Sequence, residues 1–292
     1  MKVARLILKQ WTVWVVCLCA AVAQAQTQPQ FHSVWEDWRE DVLATRWETG
    51  AVVAGVTALG AYSWDWGSST RFKFNSEGWF GEHTGSGGSD KLGHAFSSYA
   101  LTNVLTDQLV RKGRPVDRAA LSAALTTQAI MLYVEVFDGY SNNHGFARED
   151  LAMNLMGAGL AYARAVTPGL RERLDFRMEY QKSGNKGFRP LSDYEGQKYL
   201  LAFKLGGLEG LRQTPLRYLE LQTGYYARGF SKAARDAGLD RSRHTFVGIG
   251  VNLNELFFGQ RSSREDSLRH AGRLFFEHIQ VPYTAATAVH GH

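Results

Sequence analysis

The stretch HTFVGIGVNLNELFF (244–258) alternates, with Val247, Ile249, Val251 and Leu253 on one side of an extended chain and Gly248, Gly250, Asn252 and Asn254 on the other. Successive side chains of a strand point to opposite faces, so this period of two predicts a β-strand with one apolar face. YLLAFKLGGL (199–208), PLRYLELQTGYYARGF (215–230) and RLFFEHIQVPYT (273–284) read the same way. Upstream of Pro168 the period changes. FHSVWEDWREDVLATRW (31–47) sets Phe31, Val34, Trp35, Trp38, Val42 and Trp47 roughly along one side, with acids and arginines between them. That is the spacing of an amphipathic helix. TGAVVAGVTALGAYSW (49–64) is small and apolar, and three further helices are expected over about 89–112, 118–137 and 148–166. The middle one has no charge between Arg118 and Glu135, which suits a buried or membrane-apposed helix better than a free-standing span.

The expected architecture is therefore α+β. A helical bundle of about four or five helices fills 26–168, and an antiparallel β-meander of about four or five strands, packed on or beside the helices, fills 169–292. Apolar-out, small-and-polar-in alternation also fits an outer-membrane strand, but a complete barrel needs about eight strands. Segments 231–243 and 259–273 read as charged connectors and the tail AVHGH (288–292) as a frayed end.

The first 25 residues read as a secretory leader. Lys2, Arg5 and Lys9 precede a short apolar core over 11–23, and Ala23-Gln24-Ala25 is an A-x-A cleavage signal, with the cut expected after Ala25. Lipidation is not expected, because Leu18 rather than a small residue precedes Cys19. Both cysteines lie in this leader, so the remainder offers no disulfide, thiolate nucleophile or cysteine metal site. Losing three basic residues and no acid takes the formal charge from +5 to +2. No basic stripe is interleaved with aromatics, which excludes nucleic acid as the expected partner. The composition points to a periplasmic or outer-membrane-associated envelope protein. The six tryptophans after the leader all precede residue 80, which fits either a membrane interface or a core under the helices.

Chemistry-bearing side chains gather in three places. In GGSDKLGHAF (87–96), Ser89 is the expected N-cap and Asp90 sits in the first helical turn, where the helix dipole favours a carboxylate. Asp90 and His94 are four residues apart and share a face, and Gly93 lets another backbone come close. In YVEVFDGYS (133–141), Glu135 and Asp138 end an apolar helix, where negative charge opposes the dipole and calls for a cation, a proton or a partner. In REDLAMNLMGAG (148–159), Asp150, Asn154 and Gly157 share a face, and the small residues permit tight packing. Each cluster has a bland reading as well: helix-end stabilisation, an exposed ion pair to Arg148 or Lys91, or a core hydrogen bond.

Taken together, GGSDKLGHAFSSY, EVFDGYS and GFAREDLAMNLMGAG, with the upstream FNSEGWFGEHTGSGG, resemble the YfiM-like family of predicted periplasmic (lipo)proteins over roughly 70–165. The order of Asp, Lys, His, Tyr, Glu, Asp and Asn also resembles, more distantly, the VanZ-like membrane proteins. The resemblance implies a place in the envelope and no particular activity. It marks Lys91, Tyr99, Asp138, Asp150 and Asn154 as polar-cluster residues beside His94, Asp90 and Glu135. The serine often found three residues before the last Asp of this pattern is Ala147 here.

If the three helices lie side by side, two functions are open. One is a non-catalytic, membrane-associated envelope protein that binds lipid or a partner protein and uses a buried Asp/His/Glu network to fix its packing. The alternative is a hydrolase acting on an envelope lipid or glycan, with His94, Asp90 and Glu135 as catalytic groups, or with Asp90, His94, Glu135, Asp138 and Asp150 around a divalent metal. No P-loop, nucleophile elbow or H-E-x-x-H motif is present.

Overall fold

The computed structural model describes residues 28–76, 78–184, 187–259 and 266–291, so the leader and its cleavage site lie outside the described residues. In chain order the elements are α1 (Gln28–Ala44), α2 (Arg46–Ser63), α3 (Ser89–Arg111), α4 (Val116–Asp138), α5 (Arg148–Val166) and a short α6 (Leu170–Arg173). Then come β1 (Leu174–Tyr180), β2 (Gln197–Lys204), β3 (Leu219–Arg228), the short α7 (Lys232–Asp236), β4 (Ser242–Val251), α8 (Leu253–Phe258), α9 (Ser267–His278), β5 (Ile279–Gln280) and β6 (Ala285–Gly291). The fold is α+β, helices first and sheet second, as the change of period predicts.

Helices α3, α4 and α5 pack against one another and form the frame of the helical half. Small residues set the closest approach, and a β-carbon at Gly157 would lie 1.9 Å from the Ala95 carbonyl oxygen. On the sheet side of this frame, Phe96, Tyr99 and Met153 join Phe176, Met178 and Tyr199 in the main apolar core. Helix α1 is held to α4 by the buried carboxylate of Asp41, which meets Arg114 at 2.8 Å and accepts from Arg118 at 3.0 Å and Ser122 at 2.8 Å. Helix α2 is attached more lightly. Its Thr57 hydroxyl bonds the Tyr133 hydroxyl at 2.9 Å, and the Trp66 ring lies over Gly60 and against Tyr133 and Phe137.

The sheet runs β5-β1-β2-β3-β4-β6. The meander β1–β4 is antiparallel throughout, β6 adds antiparallel to β4, and β5 lies parallel to β1. Several expected boundaries move. Residues 273–278 are the end of helix α9, which Asp266 caps by accepting the Arg269 N–H at 2.7 Å, and only Ile279–Gln280 of the expected strand is extended, as β5. The strand at 244–258 stops at Val251, where Asn252 accepts the Glu255 N–H at 3.2 Å and starts α8. Residues 288–291 are not frayed: they are the end of β6, with His290 opposite Thr245, and His292 lies outside the described residues.

The two faces of the sheet have inverted polarity. One carries Asp175, Arg177, Lys204 and Glu220, all buried. Asp175 meets Arg164 and Arg177 at 2.6 Å and Lys204 at 2.7 Å, and Arg177 meets Glu220 at 2.7 Å. The other face is apolar. Helix α3 covers it over Phe176 and Tyr199, while Phe203, Leu221 and Ile249, which pair side by side, remain exposed. Val247 and Ile249 are 61% and 55% exposed, so the alternation read in the sequence points its aliphatic side outward. Among the described residues, one helix, α4, is long and apolar enough to cross a membrane, with half of its most apolar stretch buried inside the protein.

Candidate functional site

The site forms where the N-termini of α3 and α5 meet the C-terminus of α4. Gly87 and Gly88 deliver the chain into α3 with φ of 64° and 90°, a left-handed turn that side chains resist. Ser89 is the first residue of α3, and Gly88 rather than Ser89 occupies the cap position. The capping side chain is Ser86, whose hydroxyl accepts the Asp90 N–H at 3.3 Å and donates to the Asp90 carboxylate. The Tyr225 hydroxyl donates to the Gly87 carbonyl and ties this loop to β3.

Lys91 is 1% exposed, and its ammonium lies 2.9 Å from Asp90 Oδ2 and 2.7 Å from Asp150 Oδ1. One turn along, the imidazole of His94 is held between carboxylates. Nδ1 is 3.4 Å from Glu135 Oε1 and 3.3 Å from Asn154 Oδ1, and Nε2 is 3.8 Å from Asp150 Oδ2. Asn154 is fixed in turn, accepting from the Ser98 hydroxyl at 3.0 Å on Oδ1 and from Gln128 Nε2 at 2.9 Å on its carbonyl. Glu135 Oε2 accepts the Ala147 N–H at 3.4 Å, at the cap of α5, where Ala147 has no side-chain group to offer. The Glu135 side chain is 1% exposed and its Oε1 receives no hydrogen bond. Asp138, three residues on, accepts from Trp66 Nε1 at 2.6 Å.

These placements disturb the titration of the acids. Burial pushes the Glu135 carboxyl up to about 8, helped by Asp150 and Asp138 and opposed by His94. Burial likewise raises Asp138, while the Trp66 hydrogen bond and the two histidines His144 and His94 pull it down. For His94, burial alone would lower the pKa, but Asp150, Glu135 and Asp90 outweigh burial and Lys91, and the ring is raised above its ordinary value. Four carboxyl groups thus face one lysine and the imidazoles of His94 and His144. The arrangement holds more potential negative charge than its own cations neutralise, and it demands protons or a bound cation.

A polar cavity of about 470 Å³ opens onto this cluster, lined by Asp90, His94, Asp138, Asp150, His83 and His144 among others. Among the described residues, His94, Glu135 and Asp150 form the group whose ligand atoms all lie within 4.8 Å of one another. Asp90, tied to Ser86 and Lys91, and Asp138, tied to Trp66, flank that group. Of the other expected cluster residues, Lys91 and Asn154 are present and Tyr99 is not. Tyr99 lies in the core facing the sheet, and its hydroxyl accepts the Phe176 N–H at 3.3 Å. Gly93 is approached by the Tyr199 hydroxyl, with 3.1 Å to a β-carbon placed there, rather than by another backbone. Ser86, Trp66, Gln128 and His144 join the site without having been singled out as members of it. Only the glycine-rich turn preceding Asp90 signalled Ser86, and nothing in sequence signalled that Trp66 would reach across to Asp138.

Residues 76–166 match a family model described as Predicted periplasmic lipoprotein (DUF2279), a family of unknown function. The matched segment contains the whole candidate set from Asp90 to Asn154. No curated protein and no solved structure matches the chain. The match supports an uncharacterised, exported family of the cell envelope.

Proposed function

We propose that the protein is a cell-envelope hydrolase of the metal-assisted class, with His94, Glu135 and Asp150 as the ligands of a divalent cation. The observation that carries this reading is Glu135: a buried carboxylate oxygen that receives no hydrogen bond, beside an imidazole and a second carboxylate that both line an open polar cavity. One nitrogen and two carboxylate oxygens suit a borderline or hard divalent ion such as zinc, manganese or magnesium. Such an ion supplies Lewis acidity and an acidified water. Lys91 holds Asp150 in place from behind, and Asn154 helps orient the imidazole. Asp138, whose carboxyl burial raises and which lies on the cavity wall, is placed to accept or return a proton. The resemblance to YfiM-like envelope proteins is compatible with this reading and adds no chemistry to it.

A non-catalytic reading, in which the same groups only fix helix packing, draws on the fully buried Lys91 bridge. Two measurements separate them. Calorimetric titration of the metal-stripped protein with zinc, manganese and magnesium is expected to show one saturable site, lost in H94A, E135Q and D150N. The loaded protein is then expected to cleave activated carboxylic or phosphate ester probes, with the rate abolished by chelator. A folded protein that binds none of these ions, or binds one without turnover, would leave the packing network as the function.

A further inference from the structure

A second cavity, of about 260 Å³, is also lined by Asp90 and His94. Its walls are Val52, Val56 and Leu59 of α2, Phe96 and Leu101 of α3, and Ile130 of α4, closed below by Met178 and Leu191. Asp90 and His94 line both this apolar cleft and the polar cavity, as do Trp64, Val134 and Tyr194. The oxygen-rich chamber and the aliphatic one therefore share a wall that carries the imidazole. We infer that the substrate is an acyl lipid, whose hydrocarbon chain fills the α2–α3–α4 cleft while its polar head enters the chamber with His94 and Asp150.

Three observations favour an alkyl chain over a peptide segment. A peptide in an apolar cleft must find partners for its own N–H and C=O groups, whereas a hydrocarbon needs none. The polar groups of the lower wall are already spent on each other: Tyr199 donates to Gln197 Oε1 at 2.7 Å, and Gln197 Nε2 donates to the Pro190 carbonyl at 2.6 Å. Finally, the outer wall is itself an apolar surface element. Along α2, Ala51, Ala54, Ala58, Leu59, Ala61 and Tyr62 are exposed, and Gly60 is the helix's buried residue. From Gly50 to Ser63 the helix carries no charge. Such an apolar stretch belongs against other apolar matter, and here it stands between the surroundings and the cleft. An amphiphile delivered from a lipid layer would meet α2 first, then the cleft, then His94.

This inference rests on the hydrolase reading for its chemistry, but the cleft can be tested without metal. The full chain in EDTA is titrated with dodecanoate and, below its micellar concentration, with dodecylphosphocholine, while displacement of a fluorescent fatty acid is followed. Saturable binding is expected for both, with no binding of phosphocholine alone. V56W, which fills the cleft from its exposed wall, should weaken binding at least tenfold, whereas A58W on the outer side of α2 should leave it within twofold. Absence of saturable chain binding in the folded protein, or equal losses in V56W and A58W, would overturn the inference. Because no metal is present, chain binding can survive a failure of the cation site, and the cation site can survive a failure of chain binding.

Discussion

The α-carbon of Gly157 packs directly on the carbonyl of Ala95, so that a β-carbon there would sit 1.9 Å from the oxygen. This contact fixes how near α5 comes to α3, and with it the separation of Asn154 and Asp150 from His94. The obstacle is backbone, which cannot rotate aside. G157A is expected to destabilise the protein by about 3 kcal/mol, measured by chemical denaturation. G159A, where no atom lies within 4 Å, should be neutral or slightly stabilising.

Lys91 is the positive centre of the site. Replacing it with methionine keeps most of the apolar stem and removes the charge, leaving Asp90 and Asp150 without their bridge. Breaking a buried ion pair on one side costs about 3–5 kcal/mol. K91M should show that loss in thermal or urea denaturation, and added zinc or manganese should recover part of it by supplying positive charge to Asp150. Loss of stability with no recovery by any divalent ion would count against cation binding at Asp150.

The buried face of the sheet sets an acid limit on stability. Burial would raise the pKa of Asp175, but Lys204, Arg177 and Arg164 overwhelm that effect and hold the carboxyl well below its usual range. A group depressed in the folded state contributes stability above its unfolded pKa and loses that contribution as pH falls through the folded value. D175N is therefore expected to be less stable than the parent at pH 7, by about 3–5 kcal/mol. The gap should narrow steadily as the pH drops below about 4. A gap that stayed constant from pH 7 to pH 2 would show that charge is not what Asp175 contributes.

The Tyr225 hydroxyl reaches from β3 to the Gly87 carbonyl, so the sheet holds the turn that starts α3. Y225F removes one hydrogen bond and should cost about 1 kcal/mol. Its more telling effect is local: amide exchange across residues 84–90 should quicken while exchange in β2 and β4 stays unchanged.

Much of this organisation is legible in sequence, and the failures have physical causes. Helices α3 and α5 announce themselves by period and by acids in their first turns, Asp90 in one and Glu149 and Asp150 in the other. Strand β1, LDFRMEY, does not, because Asp175 and Arg177 occupy positions that a simple pattern expects to be aliphatic. RLFFEHIQVPYT satisfies the strand period and the helix period at once, and the cap that decides the matter, Asp266, lies seven residues upstream. Tyr99 follows His94 by five residues, which rotates it roughly 140° around α3 and turns it to the sheet. The meeting of His94, Glu135 and Asp150 follows from chain order once α3, α4 and α5 are neighbours. The reach of Trp66 to Asp138 depends on a loop whose path no period encodes.

The inverted sheet separates two properties that most proteins assign to the same residues. Leu221, Val247 and Ile249 meet the surroundings, while Asp175, Arg177, Lys204 and Glu220 hold the interior together. Threonine favours strands as the aliphatic residues do and is polar. Exchanging those three outward positions for threonine would therefore recast how the molecule partitions between water and lipid while leaving every interior charge pair where it is.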